Sequence, residues 1–179
     1  MEHSVRPSVA HIEPVLVSSC LLGEAVRYNG GDMRCDHGIM QRWMREGRVV
    51  SVCPEVAGGL PVPRPRAEIA DAAGGKQVLA GIARIFDSNG RDVTAYLVGG
   101  AERALELARA RHIRVAVLKE GSPSCGTGFT FDGSFTDTRI PNLGVTATLL
   151  HQAGIHVFSE ARLAEADALL KRIEAGQAV

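Results

Sequence analysis

The chain is 179 residues long, with 45% apolar and 22% charged residues, and its 20 Lys plus Arg cancel its 20 Asp plus Glu. That length corresponds to roughly one domain, and the composition builds a core without disulfide staples and excludes intrinsic disorder. Zero net charge excludes a protein that holds nucleic acid mainly by bulk charge, while leaving room for a local basic groove. Aromatic content of 4%, with Trp43 the single tryptophan, argues against a base-stacking platform.

Residues 1–14 include Glu2, His3, Arg6, His11 and Glu13, lack the apolar block of a signal peptide, and read as an N-terminal extension. No run approaches the roughly 18 apolar residues that cross a bilayer. The expected location is the cytoplasm, with no membrane partner. Residues 15–19 (VLVSS) form an apolar, β-branched run that reads as a buried strand ending at Cys20. Residues 20–31 are glycine-rich and loop-like. Ile39, Met40, Trp43 and Met44 recur at helical spacing within residues 36–46, and Gly47 stops that helix. Residues 48–53 (RVVSVC) read as a second strand, again ended by a cysteine.

Residues 53–68 hold four of the eight prolines and are expected to form a stiff, extended loop rather than helix or central strand. The segment is too apolar for a solvated linker, so it is expected to pack over a site. Residues 78–86 have strand character and lead to a turn at Asp87-Ser88-Asn89-Gly90. Residues 93–112 carry a long helical pattern through Leu97, Ala101, Ala104 and Ala108, which Gly99 and Gly100 weaken by roughly 1 kcal/mol each. Residues 114–118 (RVAVL) are a third strand, feeding a loop at residues 119–128 that carries Cys125. Residues 129–141 look irregular, residues 145–153 helical, and residues 155–158 a fourth strand. Ser159 then caps an amphipathic helix that runs to about residue 175.

This alternation predicts a single-domain, Rossmann-like α/β fold over residues 15–179, with a mainly parallel sheet flanked by helices. In such sheets ligands sit beyond the carboxyl ends of the strands. Cys20 follows the first strand, Cys53 ends the second, and Cys125 comes seven residues after the third. Parallel strands would bring the three thiols to one edge. The fourth cysteine, Cys35, lies outside that pattern, and no pair has C-x-x-C spacing. Three convergent thiolates suit zinc or an iron–sulfur cluster, and three ligands rather than four leave a coordination position open for catalysis. Glu55 lies on the Cys53 loop. Ser122 and Ser124 precede Cys125, and Gly121, Gly126 and Gly128 let backbone N–H groups approach an anionic ligand.

These residues fall into blocks: Ser18-Ser19-Cys20-Leu21-Leu22-Gly23, Arg27-Tyr28-Asn29-Gly30, residues 52–60 (VCPEVAGGL), residues 63–69 (PRPRAEI), residues 119–126 (KEGSPSCG) and Gly144-Val145-Thr146-Ala147. In that order, over about residues 15–160, the chain resembles the thiouracil desulfurase family. The resemblance implies a 4Fe-4S cluster held by Cys20, Cys53 and Cys125, with one iron free of protein ligands. It implies non-redox desulfuration: the open iron takes the thiocarbonyl sulfur of thiolated uracil or a related thionucleobase, and water supplies the oxygen. Glu55 would be the general acid/base, and Ser122 would orient substrate or relay a proton. The substrate would be a thionucleobase or thionucleoside, or else a thiolated RNA. Val26 stands where family members often carry a cysteine, which fits a cluster that needs only three thiolates. Cys35 is an extra thiol that either starts a helix inertly or closes the cluster.

Blander readings stand beside these. Free cysteines are commonly buried core residues. Glu55 alone would be an ion-pair partner, Ser122 and Ser124 turn residues, and Arg64, Arg66 and Glu68 solvated surface groups rather than binders of a substrate phosphate or partners of one another. His37, His112, His151 and His156 lack metal-ligand spacing, Thr146 reads as a helix cap, and Trp43 as part of a packed helix face. Two other functions compete with the enzyme. One is a non-enzymatic metal-binding module with a closed four-cysteine zinc or Fe-S site. The other is a doubly wound phosphate-binding protein, disfavoured because no phosphate-loop signature is present.

Overall fold

Four short β-branched runs pair side by side in the computed structural model, which describes residues 10–179. Residues 1–9 of the expected extension lie outside the described residues. β1 (Val15–Ser18) leads through α1 (Gly38–Arg45) to β2 (Val49–Val52). A one-turn helix α2 (Pro54–Ala57), a strand β3 (Ala67–Ile69), a short helix α3 (Gly75–Leu79) and a strand β4 (Ile85–Asp87) precede the long helix α4 (Thr94–Ala110). β5 (Val115–Leu118) is followed by a small ribbon of β6 (Thr130–Phe131) and β7 (Arg139–Ile140). α5 (Val145–Gln152), β8 (His156–Ser159) and α6 (Leu163–Glu174) complete the chain.

The parallel sheet runs β2-β1-β5-β8, with Val15 beside both Val49 and Val115. β1 and β5 are central and buried on both faces, which is why their sequences are continuously apolar rather than alternating. Period-2 geometry still sorts their side chains. Val15, Val17, Val115 and Val117 meet Met40 and Trp43 of α1 and Leu163 and Leu170 of α6. Leu16, Ala116 and Leu118 meet Ala104 and Ala108 of α4 and Ala147 and Leu150 of α5. Each fully buried Val or Leu contributes roughly 1.5–3 kcal/mol. Trp43 is indeed a packed face residue, with its indole N–H donating to Asp167 at 2.9 Å. Burial works against the Asp167 charge, but Arg42, Lys171 and Trp43 outweigh it and hold that carboxyl at about 2.

Strand order reverses between β1 and β5. The chain moves outward on one side from β1 to β2, and on the other from β5 to β8. That reversal opens a crevice at the carboxyl ends of β1 and β5.

Three expectations change. Residues 53–68 do lie against a cavity, but they begin with α2, because proline is tolerated at the first helical position, where its missing N–H costs nothing. Residues 78–86 are not strand throughout. The end of α3 and a turn come first, since Gly74 N–H is taken by Gln77 and a helix starts there. Part of the irregular stretch at residues 129–141 pairs as β6–β7. β3, β4, α3 and the start of α4 share a third core of Leu60, Ile69, Val78, Ile85, Val93 and Leu97. At the other end of the sheet, Glu13 is buried and pairs with Arg114, and its carbonyl accepts from Arg48.

Candidate active site

Each cysteine at the crevice is fixed by a different local device. Cys20 lies in the tight turn Ser19–Leu22 directly after β1, ended by Gly23 at a φ of 88°, where a side chain would be strained. Cys53 is the N-cap of α2, where the Glu55 and Val56 N–H groups favour its charged form although its side chain makes no capping hydrogen bond. Cys125 sits in a turn tied by Ser122, whose hydroxyl oxygen accepts the Cys125 N–H at 2.7 Å and whose carbonyl accepts from Gly126 at 3.0 Å.

All three line one cavity of about 290 Å³, together with Glu55 and Ser122. Burial pushes the Cys20 thiol up to about 11, with the neighbouring Cys53 adding to it. Burial also pushes Cys125 up to about 12 against the opposing Ser18 hydroxyl, with Glu55, Cys20 and Cys53 adding. Cys53 is raised by burial as well, in spite of the α2 N–H groups. The thiols therefore feel one another's charge across a shared space. Among the described residues, no three Cys, His, Asp or Glu side chains close tightly enough to grip a single metal ion. Three soft sulfurs around one cavity are a donor set whose chemistry fits an iron–sulfur cluster. Cys35 is half-buried against the core beside Leu21, its N–H bonded to the Leu21 carbonyl at 2.8 Å, and it does not line the cavity.

Glu55 projects from α2 and accepts from Arg64 at 3.3 Å. Arg64 is 8% exposed, and its other contact is the Pro61 carbonyl at 3.1 Å, so its expected solvation is overturned. Glu68 is 2% exposed and accepts from Arg66 and from the N–H groups of Gly133 and Phe135, which makes it a buried organiser of the β6–β7 ribbon. Arg66 also pairs with Asp137. The Ser122 oxygen is engaged in the Cys125 turn, as the plain turn reading expects, while the residue also lines the cavity. Ser124 and Thr146 bond each other at 2.9 Å in full burial, and Gly144 caps α5, so Thr146 is not the cap. His37 caps α1, and its ring nitrogen accepts from Ile39. Ser159 caps the turn that leads into α6.

Several further residues line the cavity without a signal in their local sequence. Phe129 and Phe131 cross edge to face at 5.9 Å, under Arg139 and Arg66 respectively. Phe131 lies in β6 and Phe129 just before it, a placement hidden by the apparent irregularity of the sequence around them. Glu120 accepts from the N–H groups of Gly121, Thr127, Gly128 and Phe129, and thereby shapes the loop carrying Cys125.

Fold and site together define a parallel α/β protein with a three-thiol pocket at its topological switch point. A family model for 2-thiouracil desulfurase matches residues 15–162, and the chain belongs to that family. The Bacillus subtilis (strain 168) protein YbbK, described as uncharacterized, is 42% identical over 149 residues, which is 83% of this chain and 97% of that one. A solved structure of the 4Fe-4S-dependent thiouracil desulfidase TudS is 43% identical. It covers 89% of this chain and 98% of its own, with a TM-score of 0.81. The α/β fold read from the sequence is thus that of a solved relative. Among the described residues, no helix is long and apolar enough to cross a membrane.

Proposed function

We propose that this chain removes sulfur from thiolated uracil or a related thionucleobase at a 4Fe-4S cluster held by Cys20, Cys53 and Cys125. The observation that carries the reading is the convergence of these three thiols, from the segments that follow three strands, on one cavity that also holds Glu55. When bound, the cluster supplies an iron without a protein ligand, a Lewis acid matched to a thiocarbonyl sulfur. The overall change exchanges sulfur for oxygen: C=S and water become C=O and hydrogen sulfide, with no net electron transfer.

Within that change the chain's own groups bind, orient and move protons. The Glu55 carboxylate takes a proton from the attacking water and returns it to the ring or the leaving sulfur. The nearly buried guanidinium of Arg64 fixes Glu55 in place. The Ser122 oxygen is occupied by the Cys125 N–H, so its own proton is free to be donated to the substrate. Phe129 and Phe131 provide an apolar wall on which a flat pyrimidine can rest.

The test is metal analysis of protein prepared without oxygen, followed by sulfide release from 2-thiouracil and 4-thiouracil. The expected result is about four iron and four labile sulfide per chain, with both metal and activity lost in Cys125→Ser. Glu55→Gln should keep the iron and lose activity by about 100-fold or more. Cys35→Ala should keep both. Zinc in place of iron, or iron lost in Cys35→Ala, would instead support the closed metal module.

A further inference from the structure

Ser18 ends β1 and is 2% exposed. Its oxygen accepts the Lys119 N–H at 2.9 Å, and its hydroxyl lies 3.5 Å from the sulfur of Cys125. A serine hydroxyl has one proton and two lone pairs. With the oxygen facing the Lys119 N–H, the proton turns elsewhere, and the Cys125 sulfur is the acceptor within reach. The contact is a product of topology. β1 and β5 are neighbours in the sheet, so the last residue of β1 reaches the loop that leaves β5.

The three sulfurs differ in their hydrogen-bond surroundings. Cys53 makes no capping hydrogen bond to α2 and lies 4.0 Å from the Val26 carbonyl oxygen. Cys125 is the most buried of the three, with the Ser18 hydroxyl as its hydrogen-bond donor at 3.5 Å. The Ser124 oxygen, farther away at 3.9 Å, faces the Cys125 thiol as an acceptor, and its hydroxyl is shared with Thr146. Hydrogen bonds to a ligating sulfur withdraw charge from the thiolate and favour the more reduced state of an iron–sulfur centre. They also make the centre harder to oxidise.

We infer that Ser18 is a positioning residue for the cluster: its O–H···S bond orients the Cys125 sulfur as a ligand, raises the cluster's reduction potential and slows its loss in air. This rests on the cluster reading above. The test is a dye-coupled reductive titration of the reconstituted cluster, with the rate of iron release to a chelator in air, in wild type and in Ser18→Ala, Ser18→Thr, Ser18→Val and Ser124→Ala. Thermal unfolding of the metal-free forms separates loss of fold from loss of cluster.

The hydroxyl-bearing proteins, wild type and Ser18→Thr, should group together. Ser18→Ala and Ser18→Val should titrate at more negative potential and release iron several-fold faster, with Ser124→Ala nearer to wild type. A potential and release rate unchanged in folded Ser18→Ala would overturn the inference. So would a Ser18→Thr protein shifted as far from wild type as Ser18→Ala, and that comparison stands even where Ser18→Val does not fold. Wild-type chain that takes up no iron would overturn the cluster reading itself, a distinct outcome.

Discussion

The Glu120 carboxylate gathers the N–H groups of Gly121, Thr127, Gly128 and Phe129 and the Thr127 hydroxyl, and so sets the shape of the loop that presents Cys125. Burial works against its charge, but those donors outweigh burial and hold it below the usual carboxylate range. Because its folded pKa is depressed, its contribution to stability is present above about 4.5 and fades as pH falls through the folded value. Glu120→Gln replaces one oxygen with an amide donor that faces other donors, at about 1.5–3 kcal/mol for a charge-assisted bond lost. The expected outcome is a lower urea midpoint at neutral pH, a difference that narrows towards acid, and faster iron loss. Unchanged midpoints would show that the loop holds its shape without this charge. At this scale the sequence was legible where chemistry is written in residue type. Cysteines after strands and Glu55 beside one of them carry their meaning locally. Glu120 and Ser18 do not, because each acts through partners several residues or a whole strand away.

Helix α2 carries both Cys53 and Glu55, and it is placed by backbone contact rather than by side chains. A Cβ added at Gly100 of α4 would lie 2.0 Å from the Pro54 carbonyl oxygen, and one added at Gly58 would lie 2.0 Å from that of Tyr96. Gly99, the adjacent glycine, meets nothing within 4 Å. The pair that looks like a simple weakness of the helix therefore divides into two opposite cases. Gly100→Ala should destabilise the protein by roughly 1–3 kcal/mol through overpacking and, by displacing α2, depress both iron retention and kcat. Gly99→Ala should stabilise it by about 0.5–1 kcal/mol, since only helix propensity changes. Thermal melts of the two variants check this directly, and equal effects would remove the close-approach argument. The same contrast marks what the sequence concealed about elements. Strands β1, β2, β5 and β8 were readable as β-branched runs, and helices α4 to α6 from their periodicity. Short pieces such as α2, α3 and β3 gain their stability from the third core and from glycine contacts with distant helices, so no window of sequence contains the reason for them.

Across the molecule, the sheet turns separations of 33 and 105 residues, from Cys20 to Cys53 and to Cys125, into one shared space. The parallel order was inferable from alternating elements, whereas the position of β1 between β2 and β5 was not. It is that position which puts Ser18 against Cys125 and opens the crevice. Gathering three thiols in a buried place has a consequence for pH. Burial raises Cys20 to about 11 and Cys125 to about 12, and raises Cys53 too, from an ordinary 9.0. Folded pKa values above the unfolded ones mean that the neutral thiols' contribution to stability is complete below about pH 9 and is lost as pH climbs towards 11 to 12. The metal-free chain should therefore lose stability steadily in urea unfolding from about pH 9 upward, and Cys125→Ala should flatten that decline. Metal loading has the opposite dependence, since each thiol must release its proton to become a ligand. Iron uptake should strengthen as pH rises through the neutral range, which iron analysis after anaerobic reconstitution across a pH series would show. A metal-free protein with a flat alkaline limb, or iron uptake that does not change with pH, would mean that the thiols are not desolvated as this fold places them. The same burial that resists ionisation of the empty site would then have no part in making the loaded one tight.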